Sequence, residues 1–197
     1  MCHNRTEKNL LGSVFIIFSL VSCVSLADPS PFNPVFITSS AQFMILPASE
    51  IEKSIDGAQR LTGTYGGRSL VMEVWVRADE SGIDMDLYNS LGAGMGSFSF
   101  NDTAVSFDSP VFPQKFKAEY IAADFQFCFY KPQALQRALK AAGLVFEISN
   151  FKVNGVYTEI RKIIADNETI IEIHKTENQI RYENLLRGYS YVLEGAF

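Results

Sequence analysis

Apolar and polar positions alternate along most of the chain after residue 58, in short stretches that predict strands. In residues 83–87 three apolar side chains alternate with two aspartates, and in residues 97–101 two phenylalanines alternate with serine and asparagine. A period of two places one set of side chains on each face of a strand. Further strands are predicted for residues 59–65, 69–77, 104–107, 144–149, 156–164, 169–174, 179–185 and 189–194. Because short turns separate these strands, the pattern indicates an antiparallel meander.

The alternation is interrupted in the middle of the chain by a helical pattern. Apolar positions in residues 113–124 recur at steps of three and four, which predicts a helix. Three phenylalanines follow at alternate positions, Phe125, Phe127 and Phe129. They fit either a continuation of this helix or a short strand. A second helix is predicted for residues 133–142, since Pro132 suits its first position and Gly143 its C-terminal cap.

This order of elements predicts an α+β fold. About ten strands and one pair of helices favour a single curved antiparallel sheet, an open half-barrel whose concave face is covered by the helical insert. Such a sheet can leave an apolar cavity. The 16 phenylalanines and 8 tyrosines would supply its lining.

The first 22 residues have the features of a bacterial lipoprotein signal peptide. Arg5 and Lys8 form a basic region, and the apolar segment after them, about a dozen residues long, is too short for a comfortable membrane span. Residues 20–23 read Leu-Val-Ser-Cys, which is typical of a lipobox and predicts cleavage before Cys23 and acylation of that cysteine. The alternatives are an ordinary secretory signal with a coincidental cysteine, or an uncleaved anchor.

Lipidation of Cys23 would tether the mature protein to a membrane without a spanning segment, since three acyl chains exceed the two signals that stable anchoring needs. Val24 stands where an aspartate would retain a lipoprotein in the inner membrane, which favours the outer membrane and a domain that faces the periplasm. Residues 23–47 contain several prolines and predict a tether, in which three phenylalanines would touch the domain, Phe32, Phe36 and Phe43. Residues 48–197 form the predicted domain, starting with a short helix capped by Ser49.

Residues 89–96 form a turn that contains an unusual residue, Leu91. Asn89, Gly92 and their glycine neighbours are typical turn formers, but a leucine is not. Leu91 either folds back onto the sheet or is presented to solvent. The run of glycines imitates a nucleotide-binding loop, but a strand follows it where a phosphate site requires a helix N-terminus.

Composition and reactive side chains argue against catalysis and against nucleic-acid binding. The formal net charge is −5, whereas nucleic-acid partners usually need a basic stripe. Cys128, the only cysteine left after Cys23, predicts a small buried hydrophobe, with a Cys128–His174 pair as the remote alternative. Asp84 and Asp86 share one strand face, which is a weak cation-site signal. We therefore predict no catalytic residue, no metal and no cofactor.

Taken together, these features resemble the LolA/LolB-like fold, and within it the LolB family of outer-membrane lipoprotein receptors. The residues that carry this likeness are Trp75 and the turn Asn89-Ser90-Leu91-Gly92, where LolB proteins have Asn-Pro-Leu-Gly. Residues 120–126 (Tyr-Ile-Ala-Ala-Asp-Phe-Gln) and 182–189 (Tyr-Glu-Asn-Leu-Leu-Arg-Gly-Tyr) are more similar to a family of small lipoproteins often encoded beside aryl-polyene pigment genes. Together the likeness spans about residues 58–195.

The resemblance implies a function and a set of site residues. Leu91 would protrude into solvent and place cargo in the membrane, although Ser90 leaves the turn without the expected proline. An apolar cavity would hold acyl chains of lipoproteins or lipids. Its implied walls are Trp75, Met85, Leu87, Phe98, Phe100 and Phe125. The implied partners are acyl chains, the membrane and a periplasmic carrier protein, with the domain acting as a monomer.

Two other functions remain compatible with the sequence. The cargo could be a glycolipid or an aryl-polyene lipid, as the second family suggests. The protein could instead be a structural envelope lipoprotein that binds a protein partner and carries no lipid. The walls could equally be an ordinary filled core.

Overall fold

A computed structural model describes residues 31–65, 67–112, 117–153 and 155–197. The predicted signal peptide 1–22, the predicted lipidation site Cys23 and the first part of the tether lie outside the described residues. Within these ranges, no helix has the length and hydrophobicity that crossing a bilayer requires.

Strands account for most of the described chain. Their bounds are β1 (Val35–Phe36), β2 (Gln42–Phe43), β3 (Ile55–Tyr65), β4 (Arg68–Asp79), β5 (Gly82–Tyr88), β6 (Gly94–Asn101), β7 (Ala104–Asp108), β8 (Val145–Val153), β9 (Val156–Ala165), β10 (Glu168–Lys175), β11 (Gln179–Asn184) and β12 (Tyr189–Glu194). Strands β3 to β12 form one ten-stranded antiparallel sheet in the order β7-β6-β5-β4-β3-β12-β11-β10-β9-β8. The sheet is open, with β7 and β8 at its two edges, so the predicted antiparallel meander is confirmed.

Side-chain alternation assigns the two faces of this sheet. In β4, Met72, Val74 and Val76 are buried, while Glu73, Trp75 and the other intervening residues are exposed. We call the face with the buried side chains the inner face and the other the outer face. The pairing of each hydrophobic set with its cross-strand neighbours fixes the register, because a slip by one residue would turn every apolar side chain outward.

Two helices connect the opposite edges of the sheet across its inner face. Helix α1 (Ala118–Phe129) follows β7, and helix α2 (Pro132–Ala141) precedes β8 and packs against it. Pro132 occupies the first turn of α2, and Gly143 follows this helix with φ 78°, as predicted. The three alternating phenylalanines 125, 127 and 129 continue α1, so the strand alternative is wrong. A spacing of two places these rings on different sides of α1, and all three are buried because the C-terminal half of this helix is covered on more than one side.

The solvent side of α1 is covered by the segment predicted to be a tether. Val35, Phe43 and Ile45 are buried, and the Phe43 ring contacts the Phe127 ring at 4.9 Å between centroids. The folded domain therefore begins well before residue 48, which corrects the predicted boundary. Since the C-terminal half of α1 has apolar residues on more than one side, it needs a second cover besides the sheet, and the segment with β1 and β2 supplies it.

The start of the predicted domain also differs in detail. A 3-10 helix spans Ala48–Glu50 and places Ser49 inside it, so Ser49 is not a cap. This short helix is fixed to the sheet instead, because the Ala48 N–H donates to Asp102 Oδ1 at 2.7 Å.

Arg161 is the largest charged side chain in the interior, and it is fully buried. Its Nη1 donates to the carbonyl oxygens of Phe127 (3.1 Å) and Tyr130 (2.9 Å), at the C-terminal end of α1. Its remaining nitrogens pair with Glu159 at 2.7 Å and Glu52 at 2.9 Å. Arg161 thus satisfies carbonyl groups that a helix end leaves without intrahelical partners, and joins β9 to α1.

Candidate functional site

Several turns meet at one end of the sheet, which we call the open end. Tyr65 pairs with both Arg68 and Tyr189, so the β3–β4 and β11–β12 turns lie at the same end. Tyr88 pairs with Glu73, five residues along β4 from Arg68, so the β5–β6 turn points to the same end but is set back from the other two turns along the strands. The β8–β9 turn lies at the opposite end of the sheet.

Leu91 lies at the tip of the β5–β6 turn and is 91% exposed. The Asn89 side-chain oxygen accepts the N–H groups of Leu91 and Ala93, both at 2.9 Å. Gly92 follows with φ 79°, a left-handed conformation that favours glycine. Of the two alternatives for Leu91, the structure has the outward one. Asn89 holds the turn where Ser90 replaces a proline.

A second apolar tip was missed from the sequence because residue 185 was assigned to a strand. Strand β11 ends at Asn184, and Leu185 and Leu186 follow in the turn, each 54% exposed. The Asn184 side-chain oxygen accepts the N–H of Arg187, and its carbonyl accepts the N–H of Gly188, both at 2.9 Å. The signal was present in the sequence, since leucine between asparagine and glycine repeats the pattern of the Leu91 turn.

The inner face becomes more accessible towards the open end. On β4, Met72 is buried but Leu70 is partly exposed; on β12, Leu193 is buried but Tyr191 is partly exposed. Leu61 on β3 is also partly exposed. Partly exposed apolar side chains therefore lie on the inner face at this end of the sheet.

Five of the six predicted cavity walls are on the inner side. Met85 is partly buried, and the other four are buried, namely Leu87, Phe98, Phe100 and Phe125. Phe98 and Phe100 are only 2% exposed. A water-sized empty space beside these rings would leave accessible area on them, so around them the interior is filled.

Trp75 is not a wall, which corrects the prediction. It lies on the outer face with 44% of its surface exposed, and its Nε1–H donates to Asp56 at 3.1 Å. The reason is the alternation of β4, which directs Val74 and Val76 inward and the residue between them outward.

The two segments that resemble the small-lipoprotein family contact each other. Asp124 on α1 accepts hydrogen bonds from Tyr182 at 2.6 Å and Tyr189 at 2.7 Å. The Arg187 guanidinium lies 4.9 Å from the Tyr120 ring centroid and donates to the Phe36 carbonyl. We call Asp124, Tyr182 and Tyr189, together with Asn184, which donates to Tyr189 at 3.2 Å, the polar cluster.

Asp124 has an unusual carboxyl group. Burial raises its pKa from 3.8 to about 6, although the hydrogen bonds from Tyr182 and Tyr189 and the charge of Arg187 act in the opposite direction. The polar cluster therefore fixes α1 to strands β11 and β12, on both sides of the second tip, through a carboxyl group whose pKa is about 6.

Cys128 and His174 do not form a pair. Cys128 is buried under α1 with its sulfur 3.6 Å from the Tyr191 hydroxyl, and burial raises the pKa of the thiol to about 12. His174 alternates with the inward Ile173 and bonds to Glu172 at 2.7 Å on the outer face. The sheet separates the two side chains, so the remote alternative of a Cys–His site is wrong.

The paired aspartates are also on the outer face, where Asp86 pairs with Arg77 at 3.1 Å. In the part of the chain that the structure describes, no group of three or more His, Cys, Asp or Glu side chains is placed to hold a metal ion.

Residues 56–194 match a family described as "Protein of unknown function (DUF3261)". The chain belongs to the DUF3261 family. In this DUF3261 protein the match covers the whole ten-stranded sheet except the first residue of β3, together with both helices, and leaves out β1 and β2. No curated protein matches the sequence significantly.

Among solved structures, similarity at a low level is found to the crystal structure of a DUF1329 family protein from Desulfovibrio piger, with 9% sequence identity and a TM-score of 0.28 over 75% of this chain and 86% of that chain. A likeness of this degree does not assign a function to the DUF3261 chain.

Proposed function

We propose that this protein is a lipid-anchored envelope protein, without enzymatic activity, that shelters acyl chains of a lipoprotein or lipid and delivers them to the outer membrane. The observation that carries the proposal is the open end, where a partly exposed apolar inner surface and the exposed Leu91 occur together. The predicted lipobox at Cys23, with Val24 after it, supports an anchor in the outer membrane and a domain that faces the periplasm.

The filled interior restricts where an acyl chain can lie. Phe98, Phe100 and Phe125 are packed on all sides, so a chain that enters the domain would contact the open end first. Leu61, Leu70 and Tyr191 offer it apolar surface there. Deeper binding would require α1 to move away from the sheet.

The cargo follows from resemblance rather than from geometry. A likeness to LolB proteins favours lipoproteins received from a periplasmic carrier, and the small-lipoprotein family favours a glycolipid or an aryl-polyene lipid. The second candidate function is a structural lipoprotein that binds a protein partner. It is favoured by edge strand β8, which exposes Ile148 and Phe151 beside an unpaired backbone edge.

We expect Leu91→Glu to slow delivery at least about tenfold, because a leucine that enters a bilayer contributes about 1.5–3 kcal/mol and a glutamate is repelled. The measurement is transfer of a purified triacylated lipoprotein into liposomes by residues 24–197. This segment contains every strand and helix of the described structure, so it keeps the whole domain.

The matched control for this experiment is Val156→Glu, which changes a residue that is 52% exposed at the opposite end of the sheet. This variant should transfer like the wild type. Wild-type protein that neither binds nor transfers the lipoprotein would remove the lipoprotein-carrier proposal, and the glycolipid or partner-binding functions would then be preferred. Native mass spectrometry for co-purifying lipid separates these two.

A further inference from the structure

We propose that Leu185 and Leu186, the second tip, form a second contact with the lipid bilayer, so that the domain docks on the membrane through two apolar points instead of one. The inference rests on the proposed function for its choice of a bilayer as the partner. It adds a site and a docking orientation that Leu91 alone does not define.

The second tip is exposed because its backbone is fixed, not because the turn is loose. The N–H of Leu185 donates to the Ile170 carbonyl at 2.9 Å, and the N–H of Gly188 donates to Asn184 at 2.9 Å. Arg187, the next side chain, is held against Tyr120 and the Phe36 carbonyl. Two adjacent leucines are therefore presented to solvent by a turn with ordered hydrogen bonds, which lowers the conformational cost of a contact.

The two tips flank the accessible inner surface. Strands β4 and β3 separate β5, which leads to Leu91, from β12, which begins after the second tip. With neighbouring strands spaced by about 4.8 Å, the two tips are at least about 15 Å apart across the sheet, and the Leu91 turn is set back by about five residues along the strands, since Tyr88 pairs with Glu73 whereas Tyr189 lies level with Arg68. Leu61 and Leu70 lie on the two strands between them. A bilayer that touches both tips would therefore cross the strands obliquely, near these two side chains.

The charges at the open end favour a lipid surface over a protein partner. Residues 87–101, which include the Leu91 turn, contain no Asp, Glu, Lys or Arg. Arg68, the first residue of β4, is exposed beside the β3–β4 turn, between the two tips in strand order, where a lipid phosphate could pair with it. Asp108 and Glu168 belong to strands outside the interval between the tips, and Glu73, which lies inside it on β4, is opposite Arg60 and five residues further from the end than Arg68. The outermost charge between the tips is therefore a cation, as for groups that enter an anionic membrane interface.

The polar cluster positions the second tip. Tyr189 receives a hydrogen bond from Asn184, whose backbone and side chain both accept hydrogen bonds from the turn, and Tyr189 itself donates to Asp124 on α1. Contact of the second tip with a membrane is thus coupled structurally to α1, the helix that closes the inner face.

The test is flotation of residues 24–197 with phosphatidylethanolamine–phosphatidylglycerol vesicles at millimolar lipid. Leu185→Gln combined with Leu186→Gln should weaken vesicle binding at least about tenfold. The matched control is Val156→Gln combined with Tyr157→Gln, which likewise changes two adjacent exposed residues, 52% and 60% exposed, at the opposite end. This control should bind like the wild type. Circular dichroism and urea unfolding verify that both variants are folded.

Binding of a fluorescent fatty acid without vesicles separates this inference from the proposed function. Vesicle binding that depends on the second tip, in a protein that binds no fatty acid, would support the docking surface and remove the carrier function. If the wild type binds the fatty acid, and the variant with Leu185→Gln and Leu186→Gln still binds vesicles like the wild type, the docking surface is overturned and the carrier function is not. Absence of vesicle binding by the wild type, or a greater loss in the Val156 and Tyr157 control, would also overturn the proposed docking surface.

Discussion

Replacement of Arg161 by methionine is expected to lower the free energy of unfolding by about 3–5 kcal/mol. The arginine is fully buried and donates to two carbonyl oxygens at the end of α1 and to the carboxylates of Glu159 and Glu52. Methionine fills a similar volume but donates nothing, so the carbonyl oxygen of Tyr130 and the Glu159 carboxylate lose their partner. Buried groups left without a partner cost their full desolvation free energy.

The control is the same substitution at Arg181 in β11. Arg181 also pairs with a glutamate two residues away, Glu183, but its side chain is 61% exposed. Exposed ion pairs contribute little, so Arg181→Met should change the free energy of unfolding by no more than about 0.5–1 kcal/mol. Arg161→Lys should fall between the two, because an ammonium cannot bridge carbonyls and carboxylates as a planar guanidinium does.

Urea unfolding followed by circular dichroism measures all three variants at one pH. A loss below about 1 kcal/mol for Arg161→Met, equal to that of Arg181→Met, would mean that water or a shifted helix end replaces the lost hydrogen bonds. In that case Arg161 would not stabilise the attachment of α1 to β9.

The strands were predictable because their signal is local. Each of β4, β5 and β6 has more buried and more exposed residues at alternate positions. The matching alternation of apolar and polar residues can be recognised in the sequence without knowing the partner strands. The same locality explains the correct turn at Leu91. Both the asparagine that accepts the hydrogen bonds and the glycine with positive φ lie within three residues of it.

Features that depend on distant parts of the chain were not predictable. The segment around Val35 and Phe43 resembles a tether by its prolines, and only contact with α1, about 80 residues later, makes it part of the core. Arg161 is an ordinary charged strand residue in the sequence, and its burial depends on the end of that same helix. Trp75 was assigned to the wrong face by resemblance, although the alternation of its own strand indicates the outer face.

The candidate site shows both cases. In the sequence, Asp124 and Tyr189 belong to two separate motifs. The fold brings the Tyr189 hydroxyl within 2.7 Å of the Asp124 carboxylate. No spacing in the sequence predicts this contact, because it joins helix α1 to the start of strand β12, 65 residues away. The contact gives the DUF3261 chain a titrating group next to its second tip, and this has a measurable consequence.

We expect the polar cluster to make the protein less stable as pH rises from about 4 to 7. The pKa of Asp124 is raised from 3.8 to about 6, first because of burial. The folded state therefore holds its proton more tightly than the unfolded state does, so the stabilising contribution is complete below pH 4 and is lost as pH rises through 6. A rise of the pKa from 3.8 to about 6 corresponds to a loss of about 3 kcal/mol in the free energy of unfolding once Asp124 is ionised in both states.

The experiment compares wild type with Asp124→Asn by urea unfolding between pH 4 and 7.5. The asparagine keeps the size of the side chain and does not titrate, so the wild type should lose about 2–3 kcal/mol relative to it over this range. The difference in free energy of unfolding between wild type and variant isolates Asp124, because other groups such as Glu172, whose pKa moves in the opposite direction, contribute equally to both proteins. The pKa of Glu172 is lowered, since hydrogen bonds from His174 and Lys162 outweigh its burial.

Asp79→Asn provides a control that should not depend on pH above about pH 5. The pKa of Asp79 is lowered from 3.8 by hydrogen bonds from Ser81, so its contribution is complete above about pH 5 and is lost as pH falls through 3.8 to that lowered pKa. The wild type should thus keep a constant difference from this variant between about pH 5 and 7.5. If the difference from Asp124→Asn is equally constant, the Asp124 carboxyl is solvated rather than enclosed by Tyr182 and Tyr189, and the polar cluster does not hold α1 to the second tip as the structure indicates.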